Sequence, residues 1–179
     1  MKPIFLIGYM ASGKTTFGRA LASATGQRFI DLDEYIVEKT GLSIPEIFSL
    51  HGEDHFRKLE REMLQEVTRL ENVLVACGGG TPCFFDNIDI MNDAGITVWL
   101  DASISVLKNR LMADSDNRPL VKGKGEKELE ETIKIQLERR VPYYKRSQIK
   151  WNSDLLENET QIKENVERFI NNFATFKPF

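Results

Sequence analysis

The chain has 179 residues, 41% of them hydrophobic and 28% charged, with a formal net charge of −3. That is ordinary composition for one globular domain, long enough to bury its core without metal or disulfide staples. The acidic balance disfavours a nucleic-acid partner, and no run approaches the ~18 uninterrupted apolar residues of a membrane span. The first residues run straight into an apolar, strand-like stretch rather than a basic, apolar and cleavable leader. Cys77 and Cys83, the two cysteines, fit neither a CxxC redox pair nor a zinc site. A reducing, cytoplasmic setting is expected, with no disulfide framework, no nucleic acid and no membrane.

The first predicted strand covers residues 4–7. It leads into residues 8–15, GYMASGKT, which match GxxxxGK[ST] at every fixed position. A helical pattern follows on Phe17, Ala20, Leu21 and Ala24, with Gly26 as its stop. A turn of this kind between strand and helix is a phosphate cradle. Gly8 and Gly13 let backbone N–H groups turn inward without a Cβ in the way. The helix directs its positive dipole end at the same anion. Lys14 can reach the β- and γ-phosphates of a nucleotide, and the Thr15 hydroxyl can ligate Mg²⁺. Ala11, Ser12, Gly13, Lys14, Thr15 and Thr16 are therefore the nucleotide-binding candidates. The guanine-reading [NT]KxD motif of GTP switches does not occur.

The second strand, residues 28–32, ends beside Asp31 and Asp33. Residues two apart in a strand share a face, so the two carboxylates are expected to project together. One could hold Mg²⁺ through its waters, while the other accepts a proton from, or orients, an attacking hydroxyl. Either could instead cap a helix starting near Glu34, and Asp33 is the candidate for that cap. Ser43 with Glu46 reads as a capping box before a short helix. A longer helix follows, with an apolar stripe of Phe56, Leu59, Met63, Val67 and Leu70, and Arg57, Glu60 and Arg61 fall off it.

A third strand, residues 73–77, runs into Gly78, Gly79 and Gly80. Three bare backbone positions at a ligand edge suggest a ligand ring lying flat against amides. The fourth strand is residues 96–100, and Ser103 caps a helix carrying Val106, Leu107 and Leu111. Residues 114–125, DSDNRPLVKGKG, hold two glycines, a proline and charges of both signs; they read as a lid carrying Arg118. Arg140 opens RVPYY near the end of the last long helix before a fifth, weaker strand at 148–151. Arg57, Arg118 and Arg140 carry the planar fork that suits carboxylate and phosphate. The alternation of strands and helices predicts an α/β fold with a parallel sheet between helical layers. Ligands then sit at the strands' carboxyl ends.

Taken in order, these motifs resemble the shikimate kinase family: the P-loop at 8–15, FxDxD at 29–33, FRxxE at 56–60, GGG at 78–80, the RPL of a lid at 118–120 and RxPxY at 140–144. The resemblance spans roughly residues 3–150 and implies a P-loop NTPase fold of the nucleoside-monophosphate-kinase type. Its sheet would have five parallel strands, and one domain would fill residues 1–179, with a lid at about 114–125 and a substrate-binding helical region at about 34–62. It implies transfer of the γ-phosphoryl of ATP to shikimate, giving 3-phosphoshikimate on the way to chorismate, by a monomer using Mg²⁺. By the same resemblance Asp33, Arg57, Gly79 and Arg140, with Gly78 and Gly80, would hold shikimate, and Arg57 and Arg140 would clamp its carboxylate. Asp33 would contact ring hydroxyls and act as base. Thr15 would bind Mg²⁺ directly and Asp31 through water. Lys14 and Arg118 would neutralise the transferring group, and Arg110 would lie along adenine. Ala11 stands where the family has glycine and Cys77 where it has threonine or serine, while no adenine loop is recognisable in residues 151–157. The rival readings are a gluconate kinase of the same fold and a non-catalytic nucleotide-binding module.

Overall fold

Residues 1–114 and 125–173 are described by a computed structural model. The expected lid, with Arg118, lies outside the described residues apart from its flanks, Asp114 and Gly125.

The five predicted strands all form: β1 (Ile4–Ile7), β2 (Arg28–Asp31), β3 (Val73–Ala76), β4 (Ile96–Asp101) and β5 (Ile149–Asn152). They make one sheet in the order β2-β3-β1-β4-β5, parallel throughout. Parallel strands covered on both faces read as continuous apolar runs, and β1 and β3 are buried at all four positions. Their alternation divides the core. Phe5 and Ile7 of β1 enter one cluster, while Ile4 and Leu6 enter the other.

The helices are α1 (Lys14–Thr25), α2 (Leu32–Thr40), α3 (Ile44–Val67), α4 (Asn87–Ala94), α5 (Ile104–Ala113), α6 (Glu126–Tyr144) and α7 (Glu159–Phe173), with a 3₁₀ turn at Thr81–Cys83. Phe17 and Leu21 of α1 pack with Val166 and Phe169 of α7 on one face of the sheet. Ile36, Ile47, Phe56, Met63 and Met91, from α2, α3 and α4, cover the other. Local chemistry sets the helix ends. The capping box forms as expected, Ser43 N–H donating to the Glu46 carboxylate at 2.8 Å and Glu46 N–H to Ser43 Oγ at 3.4 Å. Gly52 (φ 78°, ψ 174°) breaks α3 into the short and long helices that the sequence pattern separates.

Three expectations are corrected. The buried face of α1 is Phe17, Gly18, Leu21 and Ala22, and Ala24 is exposed. A Cβ on Gly18 would stand 2.5 Å from Phe29 and 3.0 Å from Leu6, so the helix turns its bare backbone to the sheet. The cap of α2 is Asp31, whose side chain accepts from Asp33 N–H at 3.1 Å; Asp33 lies inside the first turn. The two carboxylates are neighbours through a helical turn, not through strand alternation. Glu60, expected off the apolar stripe, is only 1% exposed. Helix α4 and the 3₁₀ turn had no anticipated counterpart.

Candidate active site

A cavity of about 460 Å³ opens where β1, β2 and β3 end. The loop after β1 supplies its floor. Gly8 (φ 143°), Ala11 (φ 62°) and Gly13 (φ 92°) all take positive φ. Ala11 thus adopts the left-handed conformation natural to glycine, at a cost of roughly 1–2 kcal/mol for an L-residue. Gly13 caps α1 with no side chain, which leaves the mouth of that helix open to an anion. Ser12 is fully buried under the loop. Lys14 Nζ folds back to donate to the carbonyls of Gly8 at 2.9 Å and Tyr9 at 2.8 Å, and Thr16 lines the cavity wall.

Thr15 Oγ1 donates to Asp31 Oδ2 at 3.1 Å, and both residues face the cavity. A hydroxyl and a carboxylate so placed are hard oxygen donors of the kind Mg²⁺ takes, with water and phosphate oxygens filling the remaining positions. Among the described residues no group of three or more His, Cys, Asp or Glu side chains makes a metal cage. The donor set therefore fits a cation carried in with phosphate. Asp33 also lines the cavity. Its carboxyl is pushed up to about 6, first by burial, then by the Asp31 and Glu60 carboxylates, against the pull of Lys14 and Arg57. Cys77 is buried, and burial pushes the Cys83 thiol up to about 11, so it is no thiolate near neutral pH.

Each of the three glycines after β3 faces a different charged group. A Cβ on Gly78 would meet Glu60 Oε1 at 3.3 Å and Asp33 Oδ1 at 3.4 Å. On Gly79 it would meet Arg140 Nη1 at 3.2 Å, and on Gly80, Arg57 Nη2 at 3.0 Å. The glycines thus make room for polar side chains to close against the backbone. Arg57 Nη1 donates to Glu60 Oε2 at 2.9 Å, while its Nε and Nη2 donate to Glu53 Oε1 at 3.2 and 3.0 Å. Glu60 Oε1 accepts from Thr81 Oγ1 at 2.5 Å. With both oxygens paired, Glu60 tolerates burial, which an apolar stripe cannot foretell. The Arg140 guanidinium lies 5.3 Å from the centre of the Tyr9 ring, and Tyr144 OH donates to Gly79 O at 2.6 Å.

Arg110 reaches across from α5 and donates to Ala11 O (3.3 Å), Ser153 O (3.1 Å), Asp154 O (3.0 Å) and Glu157 Oε1 (2.8 Å). A Cβ on Gly13 would stand 2.5 Å from Leu156 Cδ1. Residues 153–157, in which the sequence displays no adenine loop, are therefore laced to the phosphate loop. The sequence carries no local signal for this, because the partners are 43 to 99 residues apart.

A phosphate loop after the central strand of a β2-β3-β1-β4-β5 parallel sheet, with a carboxylate pair at the next strand end, defines a P-loop kinase of the nucleoside-monophosphate-kinase type. The family model described as shikimate kinase matches residues 10–172. The chain belongs to the shikimate kinase family. A shikimate kinase of Phocaeicola vulgatus is 46% identical over 167 residues, covering 93% of this chain and 95% of that protein. The crystal structure of shikimate kinase from Bacteroides thetaiotaomicron superposes with a TM-score of 0.93 at 44% identity, covering 97% of this chain and 98% of that one. Shikimate kinase from Acinetobacter baumannii, solved in complex with shikimate, gives 0.83 at 30% identity over 100% of this chain and 96% of that one.

Proposed function

We propose that this chain transfers the γ-phosphoryl group of ATP to a ring hydroxyl of shikimate, releasing ADP and 3-phosphoshikimate, a step toward chorismate and the aromatic amino acids. The observation that carries the reading is the glycine ledge, where Asp33, Arg140 and Arg57 each stand within 3.4 Å of the Cβ position of Gly78, Gly79 and Gly80 in turn. One candidate base and two carboxylate-binding forks thus converge beside the phosphate loop. The Acinetobacter baumannii relative, solved with shikimate, supports the same acceptor here.

In this reading Arg57 and Arg140 clamp the carboxylate of the acceptor. The acceptor hydroxyl oxygen attacks the γ-phosphorus as the bond to the β,γ-bridging oxygen breaks. Asp33, ionised above about 6, orients that hydroxyl and takes its proton. Lys14 neutralises charge on the transferring group, and Arg118 is assigned the same task. Mg²⁺, held by Thr15 directly and by Asp31 through water, would spread the negative charge of the phosphates. Arg110 would lie along adenine. Ala11, Ser12, Gly13 and Thr16 complete the phosphate cradle, and residues 114–125 are assigned as its lid. The enzyme is read as a cytoplasmic monomer. Its two thiols are free, and among the described residues no helix is long and apolar enough to cross a membrane. The test is coupled ADP release with shikimate, quinate and gluconate. Shikimate-dependent release supports the reading; faster release with gluconate, or none with any acceptor, refutes it.

A further inference from the structure

An arginine that is to clamp a carboxylate must be held still, because its free side chain carries about 2 kcal/mol of rotamer entropy. Arg57 is held along two edges. Nε and Nη2 engage Glu53, and Nη1 engages Glu60. A guanidinium has five N–H groups in one plane. These contacts use one on Nε, one on Nη2 and one on Nη1. One N–H on each Nη is left for a further acceptor.

Edge contacts fix rotation within the plane, but the plane itself needs a surface. The Phe84 ring supplies it, its centre 3.9 Å from the guanidinium carbon, with Phe56 farther off at 5.0 Å. Arg57 is only 14% exposed at its side chain, so the contact is largely desolvated. Phe84 follows the 3₁₀ turn that begins just after the triple glycine. Its neighbour Phe85 takes φ 52°, a left-handed conformation that costs a bulky aromatic residue free energy. Phe85 lies under Arg61 at 5.3 Å, and Asp86 pairs with the same arginine. Residues 84–86 thus contact Arg57 and Arg61, one turn apart on α3.

We propose that Phe84 is a positioning residue for the acceptor site. Its ring sets the plane of the Arg57 guanidinium so that the two remaining N–H groups meet the acceptor's carboxylate together. This rests on the reading of Arg57 as a carboxylate ligand. Leucine at position 84 would keep apolar bulk and lose the electron-rich face; tyrosine would keep the face. The measurement is steady-state kinetics of Phe84→Leu and Phe84→Tyr, each in the parent and in Arg57→Ala/Glu60→Gln, which leaves no buried carboxylate unpaired. A desolvated cation–π contact predicts that Phe84→Leu raises the KM for shikimate about 3- to 10-fold. The kcat and the KM for ATP should stay at parent values, and Phe84→Tyr should behave as the parent. Without Arg57, Phe84→Leu should have no further effect, since the two act through one contact. If Phe84→Leu does not fold, Phe84→Met, unbranched and adaptable, serves in its place. An unchanged shikimate KM in the parent background overturns the proposal, and so does the same penalty with Arg57 absent. If Arg57→Ala/Glu60→Gln itself leaves the shikimate KM unchanged, the carboxylate reading is what fails, and the platform falls with it.

Discussion

Replacing Arg57 with alanine should do two separable things. If Arg57 clamps the acceptor as proposed, the change removes one fork from the carboxylate, and losing one partner of a buried, hydrogen-bonded charge pair costs roughly 2–5 kcal/mol. At about 1.4 kcal/mol per decade, shikimate binding should weaken roughly 30-fold or more. It also strands Glu60, which is 1% exposed and loses its 2.9 Å ion pair. Breaking a buried pair on one side costs about 3–5 kcal/mol of stability, and in a domain of this size each kcal/mol moves Tm by about 2–4 °C. Arg57→Ala should therefore melt roughly 6–20 °C lower than the parent. Adding Glu60→Gln removes the stranded charge, so the double variant should regain most of that loss in a thermal melt while calorimetry with shikimate still shows weak binding. Affinity for an ATP analogue should hold in both, because Arg57 does not line the cavity at the phosphate loop. Arg57→Lys should recover only part of the affinity, since an ammonium cannot reproduce the fork. A double variant that melts no higher than Arg57→Ala would show that Glu60's charge is not what the mutation exposes. Recovery of shikimate affinity on adding Glu60→Gln would overturn the carboxylate assignment.

Asp33 titrates near 6, so kcat/KM for shikimate should fall on the acid side through about pH 6 and lose that limb in a much slower Asp33→Asn enzyme; a limb centred near 4 would contradict the burial argument. A raised carboxyl pKa means the folded state binds the extra proton between pH 3.8 and about 6, so stability from this group falls as pH rises through that window. Asp33→Asn should accordingly melt higher than the parent at pH 8, with the gain shrinking as pH drops below 6; a lower Tm at pH 8 would refute this. Ala11→Gly relieves left-handed strain worth roughly 1–2 kcal/mol and gives back about 0.5–1 kcal/mol in unfolded-chain entropy. Its Tm should rise by a degree or two, and a clear drop would show that the Ala11 methyl is packed to advantage. Turnover should vanish in excess chelator and return with Mg²⁺, because the Thr15 and Asp31 oxygens are placed for a hard cation; full activity in chelator would count against the metal.

The three inner strands were legible because parallel strands buried on both faces are short apolar runs; the edge strands β2 and β5 are only partly buried, yet lie within a residue of where they were expected. The phosphate loop was legible because glycine, lysine and threonine must stand at fixed spacing. Side-chain partnerships were not. The burial of Glu60 depends on Thr81, 21 residues away, and a periodicity count treats any carboxylate as bound for solvent. Asp31 and Asp33 were expected side by side on a strand, yet the strand stops at Asp31 because its carboxylate captures the next turn's N–H and starts a helix. Phe84 carries no mark of its place under Arg57, since the rest of α3, strand β3 and a 3₁₀ turn lie between them. Arg110 sits on an unremarkable helix, and only the folded chain brings residues 153–157 to it.

That last lacing bears on the order in which a ribosome can complete the enzyme. The phosphate loop is made within the first tenth of synthesis, but its carbonyl at Ala11 waits for Arg110, and Arg110's other acceptors belong to residues 153, 154 and 157. Leu156, the side chain against Gly13, emerges just as late. Domains tend to fold as units, so an emerging chain can display the whole GYMASGKT signature long before it holds nucleotide well. A chain halted at residue 150 should bind an ATP analogue far more weakly than one carried through residue 173, and equal binding by the two would show that the lacing is ornamental.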